Sequence, residues 1–164
     1  MNKTERILLP TLPANVDELR AMADLSTPFR TAALAVAAFC RYEQDPEAAL
    51  AMVDFLKGPQ PLSTFDKQFI RDRLAGKGYV VRSYVTGTSP ANDYALPPAP
   101  YEILVSDNPY SYTNEGYATL YLHSSGADSP RQITLRRKGD GQWLLWQHTF
   151  LSDIRPPKSQ NPWE

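Results

Sequence analysis

The chain has 164 residues, of which 42% are hydrophobic and 21% are charged, and its 17 basic and 18 acidic residues give a net charge of −1. This length fits one globular domain, and the balanced charge argues against a nucleic-acid-binding protein or a polybasic membrane anchor. No apolar run reaches the roughly 18 residues of a membrane span, so no partner is expected in a membrane.

The N-terminal segment MNKTERILLPTLP has only a short apolar stretch before Pro10. A signal peptide needs an apolar region of about 7–15 residues, so none is predicted. The single cysteine, Cys40, excludes an intrachain disulfide. Because Cys40 lies among alanines, we expect a small buried thiol there. Together these features predict a cytoplasmic protein.

Four helices are predicted in the region 15–76, and each has a capping residue or an early proline at its start. They run over about 16–23, over 28–43, from Asp45-Pro46 to Gly58, and from Ser63 to Gly76. The second contains the string TAALAVAAFC, which is apolar on nearly all sides. It is therefore expected to be the buried central helix.

Beyond residue 77 lie eight of the nine tyrosines and all three tryptophans, and aromatic residues favour strands. Five strands are predicted, at 79–85, 102–106, 117–124, 131–137 and 143–151. Helices followed by strands predict an α+β fold. In this prediction an N-terminal group of about four helices (about 15–76) packs on a C-terminal antiparallel sheet of about five strands (about 79–151). A tail over 152–164 completes a single domain, 1–164.

The last two predicted strands flank KGDG, a hairpin turn signal. A two-residue turn at Asp140-Gly141 places Leu144, Trp146, His148 and Phe150 on the core side of the sheet. A three-residue turn reverses this assignment, because a slip of one residue exchanges the two faces.

Two turn-rich segments, 87–100 and 107–116, are the longest irregular stretches of the sequence, and such loops concentrate binding residues. Tyrosine, with an apolar ring and a polar tip, suits recognition surfaces. Both segments flank the strand 102–106, so we expect them near the same edge of the sheet. The candidate binding residues are Asn92, Asp93, Tyr94, Tyr101, Asn108, Tyr110, Tyr112 and Tyr117. The alternative is that these loops only pack on themselves.

Motifs for phosphate binding (P-loop, G-x-G-x-x-G) and for a nucleophile elbow (G-x-S-x-G) are absent from the sequence. The two histidines are too far apart for a local metal motif, so no metal is predicted. With the phosphate and nucleophile motifs also absent, no catalytic residue and no cofactor are predicted. We expect a solvated His123 and a hydrogen-bonded His148. The favoured function is a non-enzymatic domain that binds a protein or a small molecule. The alternative is a small enzyme with acid–base chemistry at His123, assisted by Asp93 or Asp107.

A series of specific strings extends from about residue 16 to the end of the chain. They are LKGPQPLS (56–63), DKQFIRDRLAGKGY (66–79), RSY (82–84), SPANDY (89–94), SDNPYSY (106–112), GADSPR (126–131) and the closing WLLWQ…DIRPP…NPW. In this order they resemble a bacterial family of single-domain proteins of unknown function. The resemblance implies a self-standing bacterial domain and supplies no catalytic residue. A more distant resemblance, to the nuclear-transport-factor-like cone fold, rests on the G-x-W hairpin but conflicts with four helices before the sheet.

Overall fold

The computed structural model describes residues 2–163. Five strands form one antiparallel sheet in the order β1-β2-β3-β4-β5, which confirms the predicted α+β class and sheet type. The strands span Thr4–Leu9 (β1), Tyr101–Ser106 (β2), Tyr117–Leu122 (β3), Arg131–Arg137 (β4) and Trp143–Gln147 (β5). The α-helices span Val16–Met22 (α1), Pro28–Cys40 (α2), Pro46–Lys57 (α3), Thr64–Leu74 (α4) and Tyr79–Arg82 (α5).

The first four helices begin where the sequence predicts, because their capping signals are local. Asn15, Thr27, Asp45 and Ser63 each accept a hydrogen bond from the backbone N–H three residues further along. Every residue of α2 except Arg30 is buried, and α2 contacts all five strands. The prediction of a buried central helix is confirmed.

The predicted order, with all helices before all strands, is wrong at the N-terminus. β1 precedes every helix and pairs with β2, so that Ile7 lies opposite Ile103. Ile7 and Leu9 are buried while Arg6 and Leu8 are exposed, which is the alternation of a strand with one face on the core. Only two residues carry this inward pattern, and the partner strand is distant in sequence. The local sequence therefore gives little sign of β1.

The predicted strand 79–85 is also wrong, because its first four residues form α5. After α5 the chain makes one more turn, closed by a hydrogen bond from Val85 N–H to the Arg82 carbonyl. Val80, Val81, Tyr84 and Val85 are buried, a spacing that suits a helix. Burial of this face outweighs the strand preference of the β-branched residues. Val85 retains a single bridge to Ile103 in β2.

The connection between β4 and β5 closes with a hydrogen bond from Lys138 N–H to the Gln142 carbonyl (2.7 Å), which leaves three residues in the turn. The two-residue turn is therefore wrong, and the three-residue alternative is confirmed. As a result Leu145 faces the core and Trp146 lies on the opposite, outer face of the sheet. Leu144 is also buried, but against Gly58 at the end of α3. Gly58 has φ +64, and a Cβ there would overlap the Leu144 side chain.

A β-bulge then corrects the register by one residue. Leu135 pairs with Leu145, whereas Thr134 pairs with Gln147, which leaves Trp146 as the extra residue. The predicted alternation applies again beyond the bulge, and both His148 and Phe150 are buried.

The two edges of the sheet differ. At the β5 edge, Trp143 N–H donates to the Leu25 carbonyl (2.8 Å), and the Trp143 carbonyl accepts from Thr31 Oγ1 (2.8 Å). The Trp146 carbonyl accepts from Lys57 Nζ (3.2 Å). The helical layer and the segment before α2 therefore cover the β5 edge at Trp143 and Trp146. β1 forms the other edge, and no strand within residues 2–163 lies beyond it.

Buried apolar side chains from Ile7 to Ile154 form one cluster. The C-terminal tail does not pack through its terminal ring, because Trp163 is exposed. Instead, Arg155 N–H donates to the Gly126 carbonyl (2.9 Å), and Ile154 and Pro157 are buried. Across residues 2–163, no helix is long and apolar enough to cross a membrane.

Candidate functional site

The two segments expected to share one edge of the sheet leave β2 at its opposite ends. Segment 87–100 leads into Tyr101, whereas segment 107–116 follows Ser106. A strand of six residues separates its ends by roughly 20 Å. The candidate residues therefore fall into separate groups and do not form one surface.

The polar residues of the first group hold their own loop together. Asn92 and Ser89 exchange hydrogen bonds between side chain and backbone (3.0 and 3.3 Å), which caps a short 3-10 turn. Asp93 Oδ1 accepts a hydrogen bond from Ser159 Oγ of the tail (2.7 Å). Both side chains are exposed, and their polar atoms have structural partners.

Tyr94 and Tyr101 are parts of the packed structure. Tyr94 is fully buried, its hydroxyl donates to the Arg155 carbonyl (2.7 Å), and its ring stacks on Tyr79 with the centroids 5.7 Å apart. Burial raises the pKa of Tyr94. Tyr101 is half-buried at the start of β2, opposite Leu9 of β1. The Tyr94 ring has no free surface for a partner.

The second group lies on a loop that is fixed at its base. Asp107 N–H donates to the Lys3 carbonyl (2.8 Å), and Lys3 N–H donates to Asp107 Oδ1 (2.8 Å). The other carboxylate oxygen, Asp107 Oδ2, accepts from the Tyr112 hydroxyl (3.2 Å). Burial and the neighbouring Asp107 charge raise the pKa of Tyr112 to about 12. Asn108 Oδ1 accepts from Tyr110 N–H (2.8 Å). On this base, the Tyr110 side chain is 79% exposed.

Beside this loop, a trough of about 330 Å³ crosses the outer face of β3, β4 and β5; we call it the outer-face trough. Its aromatic walls are Tyr110, Tyr117 and Trp146. Its other lining side chains are hydroxyls and amides, and none is charged. The trough thus combines flat apolar rings with neutral hydrogen-bonding groups.

Trp146, the extra residue of the β-bulge, is held between two neighbours on the outer face. Its ring meets Tyr117 edge to face, with centroids 5.8 Å apart, and the Arg136 guanidinium lies 4.7 Å from its centroid. Bulges often redirect a side chain next to a functional site. Here the bulge brings Trp146 to the border of three clefts: the outer-face trough and one on each side of Lys57.

The larger of those two clefts, of about 440 Å³, lies between the start of α4 and the end of β5; we call it the His148 cleft. Phe65, Phe69 and Trp146 form its aromatic walls, and His148 and Lys57 line it as well. Apolar walls with a few convergent polar groups are typical of small-molecule sites.

His148 is buried within this cleft and only 9% exposed. Its ring lies between Phe39 and Phe69, at centroid distances of 5.8 and 6.0 Å. The expectation of a hydrogen-bonded His148 is not met at Nδ1, which is buried without a partner. Burial lowers the pKa of His148 to about 4. The charge of Lys57 also lowers this pKa, whereas the charge of Asp66 raises it.

Lys57 is a buried cation whose Nζ donates to the Trp146 carbonyl (3.2 Å). Burial lowers its pKa, while Asp66 and Asp54 act in the opposite direction. Among the side chains of residues 2–163, Lys57 forms no ion pair. The nearby carboxylates have other partners, because Asp66 accepts from Ser63 N–H and Asp54 accepts from Leu62 N–H.

His123 lies elsewhere, on the outer face of β2 and β3. Its Nε2 is 2.6 Å from Ser106 Oγ. The structure does not pair it with Asp93 or Asp107. The Asp93 carboxylate accepts from Ser159 Oγ, and the Asp107 carboxylate accepts from Lys3 N–H and from the Tyr112 hydroxyl.

Other reactive groups are not assembled into a site in the part of the chain that the structure describes. Within residues 2–163, no group of three or more His, Cys, Asp or Glu residues is placed to hold a metal. Burial raises the pKa of the Cys40 thiol to about 12, which keeps it protonated and unreactive.

The sequence prediction missed the residues of the His148 cleft because they come from three distant elements. Only Lys57 carried a signal: it lies four residues after Val53, on the buried stripe of α3. Trp146 and His148 line the cleft from different faces of the chain, because the β-bulge at Trp146 places His148 on the core face, and strand alternation alone does not predict this.

No curated protein and no solved structure shows significant similarity to this chain. A family match extends over residues 11–158 and so includes every helix and strand except β1. This match confirms the resemblance to a domain of unknown function. The chain belongs to the family described as "Domain of unknown function (DUF6935)".

Proposed function

We propose that this protein is a non-enzymatic binding domain whose recognition surface is the loop 107–116 together with the outer-face trough. The observation that carries the proposal is Tyr110, a large aromatic side chain that is 79% exposed on a loop fixed by hydrogen bonds. An aromatic residue on a rigid loop loses little conformational entropy on binding, so its buried surface contributes efficiently to affinity.

The trough lining indicates the chemistry of the partner. Tyr117 and Trp146 offer ring surfaces, and hydroxyl and amide groups surround them without charge. A ligand or protein segment with uncharged polar groups matches this lining, since hydroxyl and amide side chains offer neutral hydrogen bonds.

Of the eight candidate residues, this proposal retains Asn108, Tyr110, Tyr112 and Tyr117. The other four, Asn92, Asp93, Tyr94 and Tyr101, are assigned to the fold. Several expectations from the sequence remain part of the proposal: one domain, a bacterial source and a cytoplasmic location.

The test compares the double variant Tyr110→Ala/Tyr112→Ala with the wild type. Neither ring is buried in the core, so the melting temperature should stay within a few degrees. Proteins captured from a cell lysate should be lost with the double variant and kept with Trp163→Ala, which removes an exposed ring elsewhere. With the purified partner, the dissociation constant should rise by roughly thirtyfold. An unfolded double variant, or one that keeps every partner, contradicts the proposal.

A further inference from the structure

Lys57 is a buried ammonium without a carboxylate partner in the described chain. Its Nζ makes one hydrogen bond, to the Trp146 carbonyl, although an ammonium has three protons to donate. Buried charges are normally paired, and the two nearest acidic residues already bind backbone N–H groups. The site therefore has hydrogen-bonding capacity for an anion.

His148 adds a second unpaired group to the same cleft. The imidazole lines the cleft, is nine-tenths buried, and carries a nitrogen without a partner. Unsatisfied polar atoms in a buried position are uncommon in folded proteins. Lys57 has donors beyond its one hydrogen bond and His148 has an unpartnered nitrogen, and together, in one cleft, they point to a ligand with a polar head.

The surroundings indicate what the rest of that ligand is like. Phe65 is 77% exposed, and its ring stands with Phe69 and Trp146 around the opening. Three aromatic walls favour a flat apolar body. On the other side of Lys57, a neighbouring cleft is lined by Arg136, Arg137 and Lys138, so the approach carries positive charge.

We infer that the His148 cleft binds a small aromatic monocarboxylate, with its carboxylate on Lys57 and its ring among Phe65, Phe69 and Trp146. The carboxylate accepts hydrogen bonds from the free Lys57 protons, and the His148 imidazole lies within the same polar end of the cleft. Asp66 also lines the cleft, so a ligand with one negative charge meets less repulsion than a ligand with two. A monoanion therefore fits better than a phosphate, which binds best to arginine forks and backbone N–H groups.

The experiment titrates the nitrogen-labelled protein with naphthoate and, separately, with its neutral counterpart naphthamide, and follows the Trp146 indole N–H signal by NMR. Naphthoate should bind saturably, with a dissociation constant on the order of 1 mM or tighter. Naphthamide should bind roughly tenfold more weakly, because it has no charge to pair with Lys57.

Three variants locate the binding. Lys57→Met keeps the apolar stem and should weaken naphthoate binding by roughly tenfold, whereas Lys67→Met, at an exposed position of α4, should leave it unchanged. Phe65→Ala should weaken binding severalfold in an intact fold, since this ring is mostly exposed. This variant keeps the test decisive if Lys57→Met does not fold.

Several results overturn the inference. They are an absence of saturable naphthoate binding, equal affinity for naphthamide, tighter binding of phenyl phosphate, and full affinity in Phe65→Ala or in a folded Lys57→Met. The double variant Tyr110→Ala/Tyr112→Ala should bind naphthoate like the wild type. A negative naphthoate titration therefore does not count against the proposed recognition surface. Likewise, unchanged partner binding by the double variant does not count against the His148 cleft.

Discussion

The burial of His148 predicts that the protein loses stability in mild acid through one identified group. The His148 ring lies between Phe39 and Phe69, and its Nδ1 has no partner to stabilise a bound proton. Replacement by phenylalanine, His148→Phe, keeps an aromatic ring between these neighbours and removes the titration.

The size of this stability loss follows from the difference between the pKa of His148 in the folded chain and in the unfolded chain. The pKa of His148 is about 4 in the folded protein, against 6.5 for an ordinary histidine. The unfolded chain takes up the proton first, so the free energy of unfolding falls as the pH drops below about 6.5, and the loss is complete below about 4. The whole difference is worth roughly 3 kcal/mol, of which about 2 kcal/mol is lost between about pH 7.5 and about pH 5.

The assay is urea unfolding of both proteins at these two pH values. Carboxylates that titrate in acid affect both proteins equally, so the difference between wild type and His148→Phe isolates the histidine. The wild type should lose about 2 kcal/mol more than the variant. Equal losses in the two proteins would refute the reasoning, as would an NMR titration in which His148 takes up its proton near the ordinary histidine value.

Three further predictions concern stability. Tyr94→Phe should lower the free energy of unfolding by about 1–3 kcal/mol in urea, because the Arg155 carbonyl loses its donor. Gly126→Ala should also lower the free energy of unfolding, since its Cβ would overlap the Tyr94 hydroxyl. The double variant with Tyr94→Phe should lose less free energy of unfolding than the sum of the two single losses, and strictly additive losses contradict the contact. Val36→Asp buries an unpaired carboxylate in α2 and should cost several kcal/mol, so a variant with wild-type melting refutes the central position of this helix.

The features that the sequence predicted correctly depend on neighbours in the chain. Asn15, Thr27, Asp45 and Ser63 start their helices through bonds to residues three positions away, so their types and positions suffice. The elements predicted wrongly depend on distant partners. β1 is a strand because β2 lies beside it, and Tyr79–Arg82 is helical because the core covers one side of it.

The site shows the same division. Exposure of Tyr110 and Tyr112 agrees with their place in a turn-rich loop, whereas nothing local shows that Tyr94 fills the space between Tyr79 and the tail. The His148 cleft depends on one extra residue in β5. Without the bulge at Trp146, the alternation of the strand would place Trp146 and His148 on the same face.

The unequal edges of the sheet limit how copies of this protein can join. An added strand, whether from another copy or from a peptide, needs a free sheet edge, and within residues 2–163 β1 is the edge without such cover. At β5, backbone groups of Trp143 and Trp146 are already bonded to Leu25, Thr31 and Lys57. Two molecules that pair through β1 leave a capped edge at either end of the joint ten-strand sheet. We therefore expect association by strand addition at β1 to join two copies without continuing further.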